Sequence, residues 1–174
     1  DSTFSFRYYK THFWDNIDLT DERMIRSPIF HGKMVQYLNN LTVQHPDSIN
    51  KESDYLLEKA KAKELYKYIA HYITYTYETS KIMGMDGVFV HMAEKVYQTG
   101  QASWLDSAQT AKIVNRGMQL KPILLGKVAP NMILPDTSLQ LKELHKIKAK
   151  YTILVFWAYD CGHCQKETPK LAEL

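Results

Sequence analysis

The sequence contains few glycines and prolines, seven and six among 174 residues, and this excludes a fibrous or low-complexity chain. It also lacks an apolar run near the ~20 residues that a membrane-spanning helix needs, since the longest, residues 153–158, has the length of a strand. The net charge of +3 is too small to indicate a nucleic-acid-binding surface. With 45% hydrophobic residues, the chain is typical of a globular protein that can bury a core.

A start signal and a stop signal are missing from the two ends. The chain begins at Asp1 and shows no basic and apolar leader sequence, so we expect a processed or excised product. Residues 167–174 have the pattern of a helix without a Gly, Asn or Pro stop signal after it. The sequence therefore predicts a complete domain followed by part of another.

Residues 1–125 show helical spacing of apolar residues almost throughout. Ser53 and Asp54 are predicted to begin one helix, residues 66–77 to form a central tyrosine-rich helix, and residues 104–120 to form the last one, stopped by Pro122. About six helices without an internal repeat predict a compact all-α domain of unknown function over residues 1–125.

The pattern changes in residues 126–174. Residues 132–134 are predicted to be extended, 135–138 to form a turn and 139–144 a short helix or connector. The run from Tyr151 to Trp157 is apolar, β-branched and aromatic, which is typical of a strand buried on both faces. A helix should follow it, interrupted and kinked at Pro169. Overall, the fold class is predicted to be mainly α, with the first strand and helix of an α/β fold at the end.

The only two cysteines, Cys161 and Cys164, lie between this strand and this helix. Positions three apart on a helix face one another at about 5–6 Å, within reach of a disulfide. Cys161, at the amino end, is the candidate nucleophile, because helix N–H groups and the dipole stabilise its thiolate. Cys164 is the candidate resolving thiol. His163 can favour the thiolate further, and Glu167, one turn beyond Cys164, can relay a proton.

Two other interpretations of the cysteine pair stay open at this point. A zinc site needs four ligands, but no second Cys-x-x-Cys is present and no two of the seven histidines are four residues apart. An inert disulfide closing so short a loop would stabilise the fold little. We therefore favour a redox dithiol and expect neither a metal ion nor a cofactor.

The second part of the chain resembles the opening of a TlpA/ResA-like thioredoxin-fold domain. The residues at the spacing of that family are Gly126, Ala129, Pro130, Phe156, Trp157, Ala158, Cys161, Cys164, Glu167, Pro169 and Leu171. The Cys-Gly-His-Cys motif is similar to the active site of protein disulfide isomerases. The resemblance implies a thiol–disulfide oxidoreductase in which Cys161 is the nucleophile, Cys164 the resolving thiol, His163 a tuning residue and Glu167 a proton-handling residue.

The resemblance covers residues 126–174 only, so the expected domain is incomplete. A thioredoxin fold needs ~100 residues, and we expect the chain by itself to lack the substrate groove and to be inactive or barely active. Residues 1–125 also resemble a helical domain of unknown function that precedes such domains in envelope proteins. The segments that carry this second resemblance are Phe13-Trp14-Asp15, Ser27-Pro28-Ile29-Phe30, His45-Pro46-Asp47 and Met83-Gly84-Met85-Asp86.

Partners and location follow from the same resemblance. It implies a disulfide-containing protein or small molecule as substrate, an envelope redox partner, no nucleic acid, and membrane attachment only through a lipid anchor outside this chain. The expected location is the periplasm or cell envelope of a Gram-negative bacterium, an oxidising compartment. The alternative function is a helical docking or homodimerisation module without catalysis, for which Trp14 and Trp104 would supply interface aromatics. Burial of these two side chains in the core is the competing interpretation.

Overall fold

The computed structural model describes residues 2–172, and the side chains of residues 3–171. The chain divides into two compact units, Asp1–Pro130 and Asn131–Leu174. Over the described residues the secondary structure is mainly α, with one two-stranded sheet, so the predicted fold class is confirmed.

Six α-helices form the first unit over its described residues, in agreement with the predicted number. They are α1 (Ser2–Thr11), α2 (Pro28–Asn40), α3 (Pro46–Lys59), α4 (Lys63–Glu78), α5 (Asp86–Met92) and α6 (Ser107–Leu120). Short 3-10 turns lie at Glu22–Arg26 and Lys121–Ile123, and α5 continues directly into a π-helical stretch, Ala93–Gln98. None of the helices over residues 2–172 has the length and apolar character needed to cross a membrane.

Helix α3 begins earlier than predicted. The Nδ1 of His45 accepts a hydrogen bond from the backbone N–H of Asp47 at 3.3 Å, and Pro46 occupies the first helical position. A proline is tolerated there because its missing N–H would have no partner inside the helix. The predicted start at Ser53 and Asp54 is therefore wrong, and Ser53 lies fully buried in the middle of α3.

Helix α4 confirms the predicted tyrosine-rich helix and contributes to the core. Leu65, Ile69 and Ile73 follow one another at helical spacing and are completely buried. Its tyrosines differ in exposure: Tyr77 is buried, whereas Tyr75 is 62% exposed. The helix thus faces the core on one side and solvent on the other.

Helix α6 begins at Ser107, three residues after the predicted start. Asp106 accepts a hydrogen bond from the backbone N–H of Gln109 at 2.7 Å, and the Gln109 side chain accepts one from the backbone N–H of Asp106 at 3.3 Å. This reciprocal pair is a capping box and begins the helix at that point. Trp104 lies before the helix, and its ring meets that of Tyr66 in edge-to-face geometry with ring centroids 6.0 Å apart.

An aromatic cluster closes the core around Trp14. Its ring is 6% exposed and contacts Phe13 and Tyr37 in edge-to-face geometry at 5.4 and 5.3 Å. The Tyr37 hydroxyl donates a hydrogen bond to Glu52, which also pairs with Lys10 at 2.7 Å. Burial, followed by the neighbouring carboxylate, raises the pKa of Tyr37 above its ordinary value. Trp14 is therefore a core residue, and the interface interpretation of its ring is wrong.

The second unit begins with a small hairpin. Strands β1 (Ile133–Pro135) and β2 (Leu141–Glu143) are antiparallel, with Leu134 opposite Lys142. The predicted extended segment and turn are confirmed, but the predicted helix or connector over 139–144 is replaced by β2 and a 3-10 turn, Leu144–Lys146. The carboxylate of Asp136 accepts hydrogen bonds from the N–H groups of Ser138 and Gln140, so the turn reverses the chain into a paired strand.

The predicted buried strand over Tyr151–Trp157 does not form. Over the described residues no strand pairs with this segment, and its backbone is irregular. Tyr151 is 80% exposed and Phe156 78% exposed. A strand buried on both faces needs neighbouring strands and covering helices, which the short hairpin cannot supply. Residues 151–157 therefore have the composition of a buried strand but lack the neighbouring strands with which to pair.

The last helix of the described chain is α7 (Gly162–Ala172). It contains Pro169 and continues beyond it, so the predicted interruption is wrong. The φ angle of proline is itself helical, and its cost is the hydrogen bond that its missing N–H cannot make to the carbonyl of Gln165.

Candidate redox site

A tight turn and the first turn of α7 position the two cysteines. The backbone N–H of Cys161 donates to the carbonyl of Ala158 at 3.2 Å, which closes a turn around Tyr159 and Asp160. The carbonyl of Cys161 then accepts a hydrogen bond from the N–H of Gln165 at 3.0 Å. Cys161 is thus the cap residue of α7, and Cys164 lies in its first turn.

The two cysteines are joined by a disulfide. Their Cα atoms are 5.2 Å apart, as the spacing of three along a helix predicts. The backbone N–H of Cys164 also donates to the Sγ of Cys161 at 3.2 Å, and both residues are partly buried. The first sulfur therefore lies where a helix N-terminus presents a hydrogen-bond donor, an arrangement that stabilises a thiolate once the disulfide opens.

The other two predicted site residues, His163 and Glu167, lie on α7 near the pair, but among the described residues the structure shows no hydrogen bond between either side chain and a sulfur. His163 lies between the cysteines on the first turn of α7 and is exposed. Glu167 lies one turn beyond Cys164, but its carboxylate accepts a hydrogen bond from Lys170 at 2.9 Å, and its side chain is 62% exposed. The structure brings the two sulfurs together and places Glu167 in an ion pair facing solvent.

Sequence reasoning missed Gln165 as a positioning residue. Its side-chain amide donates to the backbone carbonyl of Tyr159, which ties α7 to the turn that carries Cys161. The signal in the sequence is an amide side chain four residues after Cys161, since residues four apart share a helix face.

The ligand set for a metal ion is absent from the part of the chain that the structure describes. Between residues 2 and 172, no three His, Cys, Asp or Glu side chains gather closely enough to hold one.

A cavity of about 350 Å³ lies in the first unit, and sequence reasoning did not anticipate it. It is lined by residues of two segments that carried the resemblance to a helical domain, His45-Pro46-Asp47 and Met83-Gly84. Gly84 adopts a φ of +85°, a left-handed conformation that favours glycine, and a Cβ at this position would lie 3.4 Å from Cδ2 of Leu125. The two segments thus meet in space, and Gly84 shapes one wall.

Comparison with known protein families divides the chain near the boundary between its two compact units. Residues 2–121 match a domain of unknown function, DUF5106. Residues 125–174 match the AhpC/TSA family. No curated protein sequence is significantly similar to the chain.

One solved structure is similar in fold. It is the crystal structure of a thioredoxin-like protein from Bacteroides caccae, with a TM-score of 0.66 and 17% sequence identity. The similarity covers 97% of this chain and 61% of that one, so the chain spans about three fifths of the length of the thioredoxin-like protein. Together with the AhpC/TSA match, this confirms a thioredoxin-like second part preceded by a helical domain.

Proposed function

The chain belongs to the DUF5106 family and continues into a thioredoxin-like AhpC/TSA segment, and on this basis we propose that the whole protein is a thiol–disulfide oxidoreductase acting through Cys161 and Cys164. The observation that carries the proposal is the disulfide across the first turn of α7, with the N–H of Cys164 directed at the Sγ of Cys161. A pair that closes and opens within one helical turn suits repeated redox cycling.

The reaction proceeds in two exchange steps. In the dithiol form, the Cys161 thiolate attacks one sulfur of a substrate disulfide, a Cys161–substrate bond forms, and the other substrate sulfur leaves as a thiolate. The Cys164 thiolate then attacks the Sγ of Cys161 and releases the second substrate thiolate. Two electrons pass from the dithiol to the substrate, and the two protons lost by the cysteines are taken up by the released thiolates.

The proposed roles of the neighbouring residues follow from their places on α7. His163 contributes an imidazole two residues from Cys161, and in this proposal it favours the thiolate and so a more oxidising pair. Glu167 handles the proton of the resolving thiol in this proposal. Its pairing with Lys170 means that the carboxylate must leave that ion pair, or act through water, when it relays a proton.

The test is electron transfer from the reduced whole protein to a disulfide, since this chain by itself is expected to be barely active. The reduced protein should reduce the interchain disulfides of insulin or a cystine-containing peptide, and Cys161→Ser should abolish the transfer. Lys112→Gln, an exposed change on α6 that removes one charge, serves as the control and should leave the rate unchanged. Equal rates for Cys161→Ser and the unmodified chain would refute the proposal.

The proposed setting is the periplasm or cell envelope of a Gram-negative bacterium. Support comes from the disulfide itself, since such bonds persist in oxidising compartments. The proposed partners are a disulfide-containing protein or small molecule as substrate and an envelope redox protein that resets the pair. Fractionation of the native host followed by trapping of the Cys161 redox state tests both points.

A second candidate function is docking or homodimerisation through the helical unit. Helix α1 presents Phe4 and Tyr8 with exposures of 67% and 58%, and their rings stack with centroids 6.2 Å apart. Exposed aromatic side chains are enriched at protein interfaces. Light scattering should give twice the 20.3 kDa chain mass. The double variant Phe4→Ser/Tyr8→Ser should return the mass to that of one chain, whereas a monomeric unmodified chain would refute homodimerisation.

A further inference from the structure

Asp160 is the charged residue next to the reactive sulfur. It occupies a central position of the turn that the Cys161 N–H closes onto Ala158, and it is exposed. The next residue is Cys161, whose Sγ accepts the N–H of Cys164. An exposed carboxylate therefore lies one residue before the sulfur that a substrate disulfide must reach.

The other charged residues of α7 do not offset this carboxylate in the same way. Glu167 and Lys170 form an ion pair with one another. Lys166 is five positions from Cys161, and at about 100° per residue it lies about 140° around the helix from the first sulfur. His163 lies two residues from Cys161 and is exposed. Among the charged side chains of this segment, Asp160 is therefore the one adjacent in sequence to Cys161, and its negative charge acts there against the positive amino end of the α7 dipole.

We propose that Asp160 is a specificity-determining residue that selects substrate disulfides by charge. It disfavours disulfides flanked by carboxylates and favours those flanked by neutral or basic groups, such as a cystine in a basic polypeptide. This inference rests on the proposed exchange activity and names the substrate class for the same site.

The physical basis is Coulombic interaction at short range in an exposed position. Asp160 and Cys161 are adjacent in sequence, so the carboxylate and a sulfur approaching Cys161 are separated by several ångströms. One unit charge at such a distance in water changes an approach rate by about threefold. Salt weakens the effect, because the Debye length falls from about 30 Å at 0.01 M to about 3 Å at 1 M ionic strength.

The experiment compares three small disulfides that differ in charge. The reduced whole protein is mixed with cystamine, which is positive, hydroxyethyl disulfide, which is neutral, or oxidised glutathione, which is negative. Formation of the Cys161–Cys164 disulfide is followed over time. The quantity of interest is the cystamine-to-glutathione rate ratio in the unmodified chain divided by that in Asp160→Asn. Any change in the thiolate fraction of Cys161 affects all three reagents equally and cancels in this quotient.

The expected quotient is about three or more at low salt, and it should approach one near 1 M salt. Asp160→Glu keeps the charge and should retain the ratio of the unmodified chain. The matched control is Glu58→Gln, which removes the same charge from an exposed position on α3 and should also retain it.

Two outcomes distinguish failure of charge selection by Asp160 from failure of the oxidoreductase function on which it rests. If Asp160→Asn exchanges readily with all three disulfides at an unchanged rate ratio, charge selection by Asp160 is wrong while the oxidoreductase proposal stands. If the unmodified reduced whole protein exchanges with none of the three, the proposed function itself fails. Asp160→Glu reports on local folding, because a changed rate ratio in a variant of the same charge would also overturn the electrostatic explanation.

Discussion

The backbone N–H of Cys164 donates a hydrogen bond to the Sγ of Cys161 at 3.2 Å. The candidate nucleophile thus occupies the place of a helix-capping side chain. In most helix caps a side-chain oxygen accepts this hydrogen bond, and here the sulfur of Cys161 accepts it. The contact makes the surroundings of the two sulfurs unequal, because the first sulfur lies at the amino end of α7 and accepts a backbone hydrogen bond there.

This inequality predicts different products from the two serine variants. Cys164→Ser should accumulate a mixed disulfide through Cys161, because the attacking thiolate remains and the resolving thiol is gone. Cys161→Ser should accumulate much less with the same disulfide reagent, since Cys164 lacks the cap position. Intact-protein mass spectrometry after a short incubation measures both products. Equal trapping by the two variants would contradict the assignment of Cys161 as the nucleophile.

Two helix glycines should respond in opposite directions to alanine. A Cβ on Gly117 of α6 would lie 2.7 Å from the Cβ of Ala93, closer than carbon atoms can approach. The gain in helix propensity is about 1 kcal/mol, whereas overpacking costs about 1–3 kcal/mol. We expect Gly117→Ala to lower the free energy of unfolding in urea denaturation by up to about 2 kcal/mol, the difference between this cost and this gain.

The matched variant is Gly32→Ala on α2, where a Cβ meets no atom within 4 Å. It should raise the free energy of unfolding by about 0.5–1 kcal/mol. Adding Ala93→Gly to Gly117→Ala should restore part of the loss, since it removes the clashing atom. A Gly117→Ala protein as stable as Gly32→Ala would show that α6 and the π-helical stretch are not packed this closely.

Tyr77 should make the free energy of unfolding decrease as the pH rises above about 10. Burial raises its pKa to about 12 in the folded chain, whereas an unfolded tyrosine ionises near 10. Between these values the unfolded state has lost the proton and the folded state retains it, so stability decreases as pH rises. The contribution is fully present below about pH 10, and about 1 kcal/mol is lost by pH 11.

Removing the hydroxyl checks this dependence. Tyr77→Phe should lose less stability than the unmodified chain between pH 9 and pH 11, because phenylalanine does not ionise. Urea denaturation at several pH values gives the difference between the two proteins, in which the contributions of other groups cancel. Parallel stability curves would show that Tyr77 ionises normally in the fold.

The capping box of α6 predicts a local loss of stability. Asp106→Ala removes the acceptor for the N–H of Gln109, and the loss of such a cap costs about 1 kcal/mol. Asp106→Asn keeps an acceptor oxygen and should cost less. Thermal denaturation of the two variants measures the difference, and an Asp106→Ala protein as stable as Asp106→Asn would indicate that the cap contributes little.

Much of the helical unit could be predicted because its signals are local. The apolar and tyrosine-rich pattern over 66–77 predicts most of α4, and Ile69 and Ile73 are buried on one face of that helix. The predicted start of α3 is wrong because His45 is a less common cap than Ser or Asp. The common cap residues Ser53 and Asp54 place the predicted start about two helical turns after the observed one.

The irregular segment before the cysteines shows that local sequence alone does not predict strand formation. The apolar run from Tyr151 to Trp157 has the composition of a buried strand, yet its residues are exposed and unpaired in the described chain. Strand formation depends on hydrogen bonds to neighbouring strands, which no single segment contains. A helix such as α7, whose backbone bonds are internal, forms without such partners.

The sequence by itself determined the mainly α composition and the spacing of Cys161 and Cys164 that allows their disulfide, because these depend on residues within a few positions of each other. Only the tertiary structure decided that Trp14 is buried, that Gly117 touches Ala93, and that His45-Pro46-Asp47 meets Met83-Gly84 at a cavity. Each of these joins residues distant in sequence, and their contact results from the packing of whole helices.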